Sequence, residues 1–334
     1  MNARDLVRVE QLTVTFSSSR TLWQRRKLHA VRSVDLAIGE GEVVALVGES
    51  GSGKTTLGRA LLRLIEPSAG KVFCGDVEVT AMPAQALRAL RREMQIIYQD
   101  PFASLDPRMT VGDIIAEGLQ IHRIGTRNDR AVRVTELLAE VGLEPEHARR
   151  YPHALSGGQR QRVGISRALA VKPRFIVADE PVSSLDVSIQ AQIINLLHEL
   201  KTRLSLTMLF ITHNLGVVRL IADRAAVMYL GRIVEVADTE SLFERPAHPY
   251  TKTLIASIPL PEPRSKRRAA ALHGEPPSPI DPPSGCAFRT RCPIATAECA
   301  ASVPVLEAVG EGHLAACIHP TIRVREQPAF SGDY

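Results

Sequence analysis

Aromatic residues are scarce, at 4% of 334 residues. That leaves no array of stacking platforms on which single-stranded nucleic acid is held. No apolar stretch approaches the ~18–20 residues of a membrane-spanning helix, so the chain is not expected to cross a bilayer. Residues 1–5 are followed by no apolar h-region, and without a cleaved secretory signal the expected location is the cytosol. Charge of one sign is also in short supply, because 41 basic against 36 acidic residues leave +5. That excess is too small to argue for nucleic acid and suits an anionic ligand or a membrane surface equally well. Cysteine is rare and odd in number. Of five, Cys286, Cys292, Cys299 and Cys317 fall in the last 49 residues and Cys74 lies far away. In a cytosolic chain that clustering favours metal ligation over disulfides.

Apolar residues make up 45% and charged residues 23%, enough for a sizeable core and about two domains at this length. Proline marks the organisation: eight of 22 stand in residues 1–245 and fourteen in 246–334. A boundary is therefore expected near Pro246. Residues 259–285, with a basic run at 266–268, read as a linker or extended wrap, followed by a cysteine-bearing module at about 280–325. Before the boundary, Val43–Val47 is a continuous apolar run of the kind buried on both faces of a sheet. Leu57, Ala60, Leu61 and Leu64 then recur at helical spacing. Residues 175–178 and 207–211 repeat the strand pattern, and Ile189, Ile193, Leu196, Leu197 and Leu200 form another helical face. Residues 225–229 and 232–236 read as two strands about a turn. Strands alternating with helices predict an α/β fold with a largely parallel sheet.

The chemistry begins at residue 48. Gly48-Glu-Ser-Gly-Ser-Gly53-Lys54-Thr55 is a full G-x-x-x-x-G-K-[ST] pattern, placed after a buried strand and at the start of a helix. Gly48, Ser50, Gly51, Ser52, Gly53 and Thr56 turn backbone N–H groups inward, and the helix N-terminus adds positive potential. Lys54 supplies a point charge for the β and γ phosphates, and the Thr55 hydroxyl is a Mg²⁺ ligand. Residues 175–180 then end an apolar strand in Asp179 and Glu180, at the carboxyl edge where an α/β sheet binds its ligand. Asp179 is placed to hold Mg²⁺ through water, and Glu180 to polarise an attacking water.

Leu155-Ser156-Gly157-Gly158-Gln159 resembles the signature motif of ABC-transporter ATPases, and the other motifs of that family follow in order. Gln99 lies in Tyr98-Gln99-Asp100-Pro101, Asp186 in Ser183-Ser184-Leu185-Asp186, and His213 in Ile211-Thr212-His213-Asn214. The resemblance implies a P-loop NTPase cassette, with a RecA-like core sheet and a helical signature subdomain at about 100–172, filling residues 1–245. It implies a head-to-tail dimer in which Lys54, Thr55, Gln99, Asp179, Glu180 and His213 serve one ATP, with Thr55, Gln99 and Asp179 at Mg²⁺. Ser156, Gly157, Gly158 and Gln159 complete the partner's site, with Asp186 beside it. Phe16 matches the aromatic that stacks on adenine, next to a basic insertion at 17–29.

Gln99-Asp-Pro-Phe-Ala-Ser-Leu-Asp-Pro-Arg108, Tyr151-Pro152-His153 and His248-Pro249-Tyr250-Thr251 resemble the dipeptide/oligopeptide importer branch, as does the tail from 246 to 334. Leu57-Gly58-Arg59 and residues 62–67 lean towards the second of the two ATPases of such importers. That resemblance implies a related second cassette, two membrane permeases, an extracytoplasmic substrate-binding protein, no nucleic acid, and a peripheral place on the cytoplasmic face of the inner membrane. Nickel, glutathione or opine cargo is the alternative, and a soluble non-transport ABC ATPase a remote one. The tail cysteines are spaced C-x5-C-x6-C-x17-C, without the tight C-x2-C knuckle of structural zinc, with His313 and His319 nearby as possible zinc ligands. The resemblance implies a [4Fe–4S] cluster there, with Zn²⁺ or free thiols as alternatives.

Overall fold

In the computed structural model, residues 5–19, 25–258 and 274–322 are described, and their strands form two sheets. The first is antiparallel. It contains β1 (Asp5–Ser19), β2 (Arg25–Gly39), β4 (Ala69–Cys74) and β5 (Val77–Glu78), in the order β2-β1-β4-β5. The second is built on β3 (Val43–Val47), all five residues of which are buried. Around it lie β6 (Met94–Ile97), β7 (Phe175–Asp179), β8 (Thr207–Thr212), β9 (Arg224–Tyr229), β10 (Arg232–Asp238), β11 (Glu307–Gly310) and β12 (His313–Ala315). Its order is β11-β12-β10-β9-β3-β8-β7-β6. The run from β9 to β6 is parallel, and β10, β12 and β11 add antiparallel strands at one edge.

The helices are α1 (Lys54–Leu61), α2 (Ala84–Leu90), α3 (Pro101–Ser104), α4 (Val111–Ile121), α5 (Arg127–Glu140), α6 (Gly157–Leu169), α7 (Val187–Leu204), α8 (Leu215–Ile221), α9 (Thr239–Glu244), α10 (Pro249–Ala256) and α11 (Glu298–Ala301). From α3 to α6 no strand intervenes. This helical layer packs Ile115, Leu119, Leu137, Leu138 and Val163 into one core with Ile176 and Phe210 of the sheet. Its helix starts are set by side-chain caps, since Thr110, Thr126 and Ser156 each accept a hydrogen bond from the N–H three residues on. Among the described residues no helix is long and apolar enough to cross a membrane.

The strands expected at 43–47, 175–178 and 207–211 are present, and the pair at 225–229 and 232–236 is an antiparallel hairpin. One stripe was read too long: α1 stops at Leu61 and Leu64 is exposed. The cause is local. Arg63 adopts φ 48°, and the Leu64 N–H turns back to the Arg59 carbonyl at 2.8 Å, a left-handed helix stop. The tail also joins the main sheet, because β12 pairs with β10 in the register Glu235↔Ala315. The basic run at 266–268 lies outside the described residues.

Candidate functional site

The loop from β3 into α1 requires glycine. Gly53 has φ 104°, and a Cβ there would stand 2.2 Å from the Ala30 carbonyl oxygen; at Gly48 (φ 155°) it would stand 2.1 Å from that of Met228. No side chain fits either position, so the loop is pressed against β2 and β9 by bare backbone. Lys54 is buried and folded into this loop, its Nζ donating to the carbonyls of Gly48 and Glu49, both at 2.9 Å, and to Ser52 Oγ at 3.4 Å. Burial pushes the Lys54 pKa down, with Glu180, Asp179 and Glu49 pulling the other way.

Thr55 Oγ1 donates to Asp179 Oδ1 at 2.8 Å. Asp179 ends β7 and is 1% exposed. Its Oδ2 is buried without a hydrogen-bond partner, and the nearest guanidinium, Arg59, is 3.7 Å away. Burial raises the Asp179 pKa, against the Thr55 hydrogen bond and Arg59. An orphaned carboxylate oxygen beside a helix N-terminal hydroxyl fits a hard divalent cation that would complete its coordination. Glu180 follows in a left-handed conformation, φ 46°, which a non-glycine residue adopts at a cost of about 1–2 kcal/mol. That turn brings its Oε2 within 3.2 Å of both Gln99 Nε2 and His213 Nδ1. Gln99 follows β6 and His213 follows β8, so three strand ends converge on one carboxylate. Ser184 Oγ donates to the Gln99 carbonyl at 3.3 Å, tying the segment before Asp186 to the same place.

The signature segment is built elsewhere. Ser156 caps α6 and exchanges hydrogen bonds with Gln159, Gly157 and Gly158 begin that helix, and Asp186 stands at the start of α7 without a side-chain cap bond. A Cβ at Gly158 would meet Ile189 Cγ2 at 2.6 Å, so α6 and α7 touch through glycine. Among the described residues no hydrogen bond or ion pair joins 156–159 to 48–56. Phe16 lies on β1 opposite Leu28 and is 39% exposed.

Cys286, Cys292, Cys299 and Cys317 all line one narrow pocket, with His319 on its wall. Burial raises the pKa of Cys286 and Cys292 and pushes Cys317 up to about 11, opposed by backbone N–H groups donating to these sulfurs. The expectation of ligands gathered about a single ion is not met: among the described residues no three His, Cys, Asp or Glu groups converge closely enough to hold one. A zinc ion needs every sulfur at ~2.3 Å from one point. The histidines are also committed elsewhere, His313 Nε2 to Glu235 Oε1 at 2.7 Å and His319 Nε2 to Thr296 Oγ1 at 3.0 Å.

Two groups had no sequence signal. Glu49, an unspecified position in the glycine pattern, pairs with Arg291 at 2.7 and 3.0 Å. Glu235, fully buried on β10, accepts from Ala247 N at 2.6 Å, from His248 N at 2.9 Å and from His313. A cavity of about 620 Å³ lies away from the P-loop, between β1, β2 and residues 303–306.

Residues 31–183 match the family model described as ABC transporter, and residues 234–299 match the oligopeptide/dipeptide transporter, C-terminal region. The chain is 56% identical over 295 residues to a protein of Brucella ovis named for peptide import ATP binding, covering 88% of this chain and 93% of that one. It is 44% identical over 321 residues to the oligopeptide transport ATP-binding protein AppF of Bacillus subtilis, covering 95% and 98%. A dimeric ATP-binding cassette solved in a post-hydrolysis state with ADP and Pi superposes with TM-score 0.63 at 30% identity. The match spans 70% of this chain and 98% of that one.

Proposed function

This chain belongs to the ABC transporter ATPases, and from that premise we propose that it hydrolyses ATP to energise a membrane importer of short peptides. The observation that carries the chemistry is the Glu180 carboxylate, held at 3.2 Å by both Gln99 and His213 beside the Thr55–Asp179 pair. Peptide as cargo is supported by the tail matching an oligopeptide/dipeptide transporter region and by the names of the relatives.

Lys54 leaves the Gly48 and Glu49 carbonyls to meet the β and γ phosphates, and the inward N–H groups of 48–55 take the remaining oxygens. Thr55 and Asp179 would hold Mg²⁺ with Gln99 nearby; the ion supplies charge neutralisation on the phosphates. Glu180 orients the attacking water and His213 lies against the γ-phosphate. Catalysis in this class comes from positioning and charge stabilisation more than from covalent chemistry. Ser156, Gly157, Gly158 and Gln159 complete the ATP site of a partner cassette, with Asp186 at the same face and Phe16 against adenine. A head-to-tail pairing accounts for the distance between the two motif sets within one chain, and the dimeric structural relative supports it.

The partner cassette is a related, different ATPase, and the pair sits against two permeases at the cytoplasmic face of the inner membrane, fed by an extracytoplasmic substrate-binding protein. Cys286, Cys292, Cys299 and Cys317 line one narrow pocket, and on that shared placement they are the proposed ligands of a [4Fe–4S] cluster, with Zn²⁺ as the alternative. Anaerobic purification with iron, sulfide and zinc analysis tests this, and stoichiometric zinc without iron would remove the cluster. The function is tested by uptake of labelled di- and oligopeptides in cells carrying Glu180→Gln, with nickel, glutathione and an opine in parallel. Loss of peptide uptake alone supports the reading. Loss confined to another cargo replaces the peptide, and unchanged ATP turnover in the assembled complex refutes the role of Glu180.

A further inference from the structure

Glu49 is held at all of its polar groups. Its carboxylate receives a bidentate pair from Arg291, at 2.7 and 3.0 Å, across 242 residues of sequence. Its N–H donates to Tyr250 Oη at 2.8 Å. Its carbonyl accepts from Lys54 Nζ at 2.9 Å, the resting place of the lysine the phosphates require. Arg291 is 4% exposed and Glu49 24%, so the pair is shielded, and planar two-pronged contacts of this kind fix orientation as well as charge. The Glu49 carboxylate further raises the Arg291 pKa.

The residues that reach Glu49 come from the tail and are themselves rigidly placed. Phe288, three positions before Arg291, is 1% exposed and packs edge-on against Tyr229 at 5.3 Å and tilted against Tyr250 at 5.3 Å. These rings share one core with Ala45 and Val47 of β3, the strand that delivers the P-loop. Pro276, Pro277, Ser278 and Pro279 face Glu49, Ser50, Gly51 and Ser52 from the same side. Cys286 and Cys292 bracket the loop that bears both Phe288 and Arg291.

We propose that Arg291 is a positioning residue for the P-loop: through its bidentate pair with Glu49, the cysteine-bearing tail holds the loop backbone at residue 49 in the shape that turns its N–H groups and Lys54 towards the phosphates, and so sets nucleotide affinity. Arg291 acts through Glu49 and Lys54. The proposal rests on the P-loop holding ATP, as argued above.

The test is equilibrium binding of Mg-ATP to the purified full chain, by displacement of a fluorescent nucleotide, alongside kcat and KM in the assembled complex. Arg291→Met and Glu49→Gln should each raise Kd on the order of tenfold, within the usual range of coupling between sites. The double variant should be no weaker than either single, Arg291→Lys should recover part of the affinity, and kcat at saturating ATP should move less than KM. Kd within twofold of the parent in Arg291→Met and Glu49→Gln, or effects that multiply in the double variant, would overturn the proposal. Should Arg291→Met fail to fold by thermal unfolding, Glu49→Gln and Arg291→Lys decide the matter. Lys54→Ala separates the two readings: retained ATP binding there removes the nucleotide site itself, whereas lost binding there with unchanged Arg291 variants removes only the positioning role.

Discussion

His248 should make the protein acid-sensitive in a way a single substitution abolishes. The ring is fully enclosed, and burial lowers its pKa from 6.5 to about 4, with Glu235 opposing the shift. Its Nδ1 accepts from the Tyr250 N–H at 3.0 Å, which only the neutral ring can do, and this bond caps α10. The unfolded chain takes up a proton near pH 6.5 that the folded chain refuses until about pH 4. Stability attributable to the neutral ring is therefore complete above pH 6.5 and is lost as the pH falls through that window. The linkage gives a loss of roughly 2 kcal/mol between pH 7 and pH 5 and roughly 3 kcal/mol by pH 4. Asparagine is a good helix cap that does not titrate, so His248→Asn keeps an acceptor for Tyr250 N–H. Urea unfolding of the parent and of His248→Asn at pH 7, 6 and 5 is the assay. The parent should lose stability relative to the variant by roughly 2 kcal/mol over this range. Parallel pH profiles for the two proteins would refute the reasoning, because every other ionisable side chain is common to both.

Phe288→Ala empties the centre of the aromatic cluster and should cost about 3–5 kcal/mol in the same unfolding assay, a loss below 1 kcal/mol contradicting its place in the core. Gly53→Ala forces a Cβ to 2.2 Å from the Ala30 carbonyl at φ 104°, and should abolish measurable Mg-ATP binding in a chain whose far-UV circular dichroism is intact. His313→Ala removes one of three donors to the buried Glu235 carboxylate and should destabilise by about 2–3 kcal/mol, while His313→Gln, which restores a donor, should recover more than half of that.

The nucleotide site was legible because its parts are local in sequence: a buried strand, glycines that only a tight backbone approach explains, then Lys54 and Thr55. Glu180 was legible for the same reason, at the end of the apolar run 175–179, though not the left-handed backbone that turns it towards Gln99 and His213. The resemblance supplied what spacing could not, namely that Gln99 and His213 belong with Glu180. Pairings between distant segments left no trace. Glu49 and Arg291 stand 242 residues apart, and neither interrupts a periodic pattern. Glu235 sits in a strand whose other inward residues are apolar, and its three partners all come from beyond Pro246. The short strands β11 and β12 carry too few residues for alternation to be read, and proline-rich sequence precedes them. Leu64 was misread because helical spacing continues past a stop that depends on the backbone of Arg63.

The pairing of β12 with β10 governs the order in which the molecule can be finished. Glu235 and Ala315 are neighbours across the ladder and eighty residues apart along the chain. During synthesis the edge of β10 therefore emerges from the ribosome with its N–H and C=O groups open, and stays open until the last quarter of the chain has been made. An open edge of this kind recruits other strands. The nascent cassette thus passes through an interval of exposure that ends only when the tail arrives, and proteolytic loss of the tail would return the finished molecule to that state. Chains shortened at residue 245 are expected to self-associate, and the tail serves in this respect as the hem of the catalytic sheet.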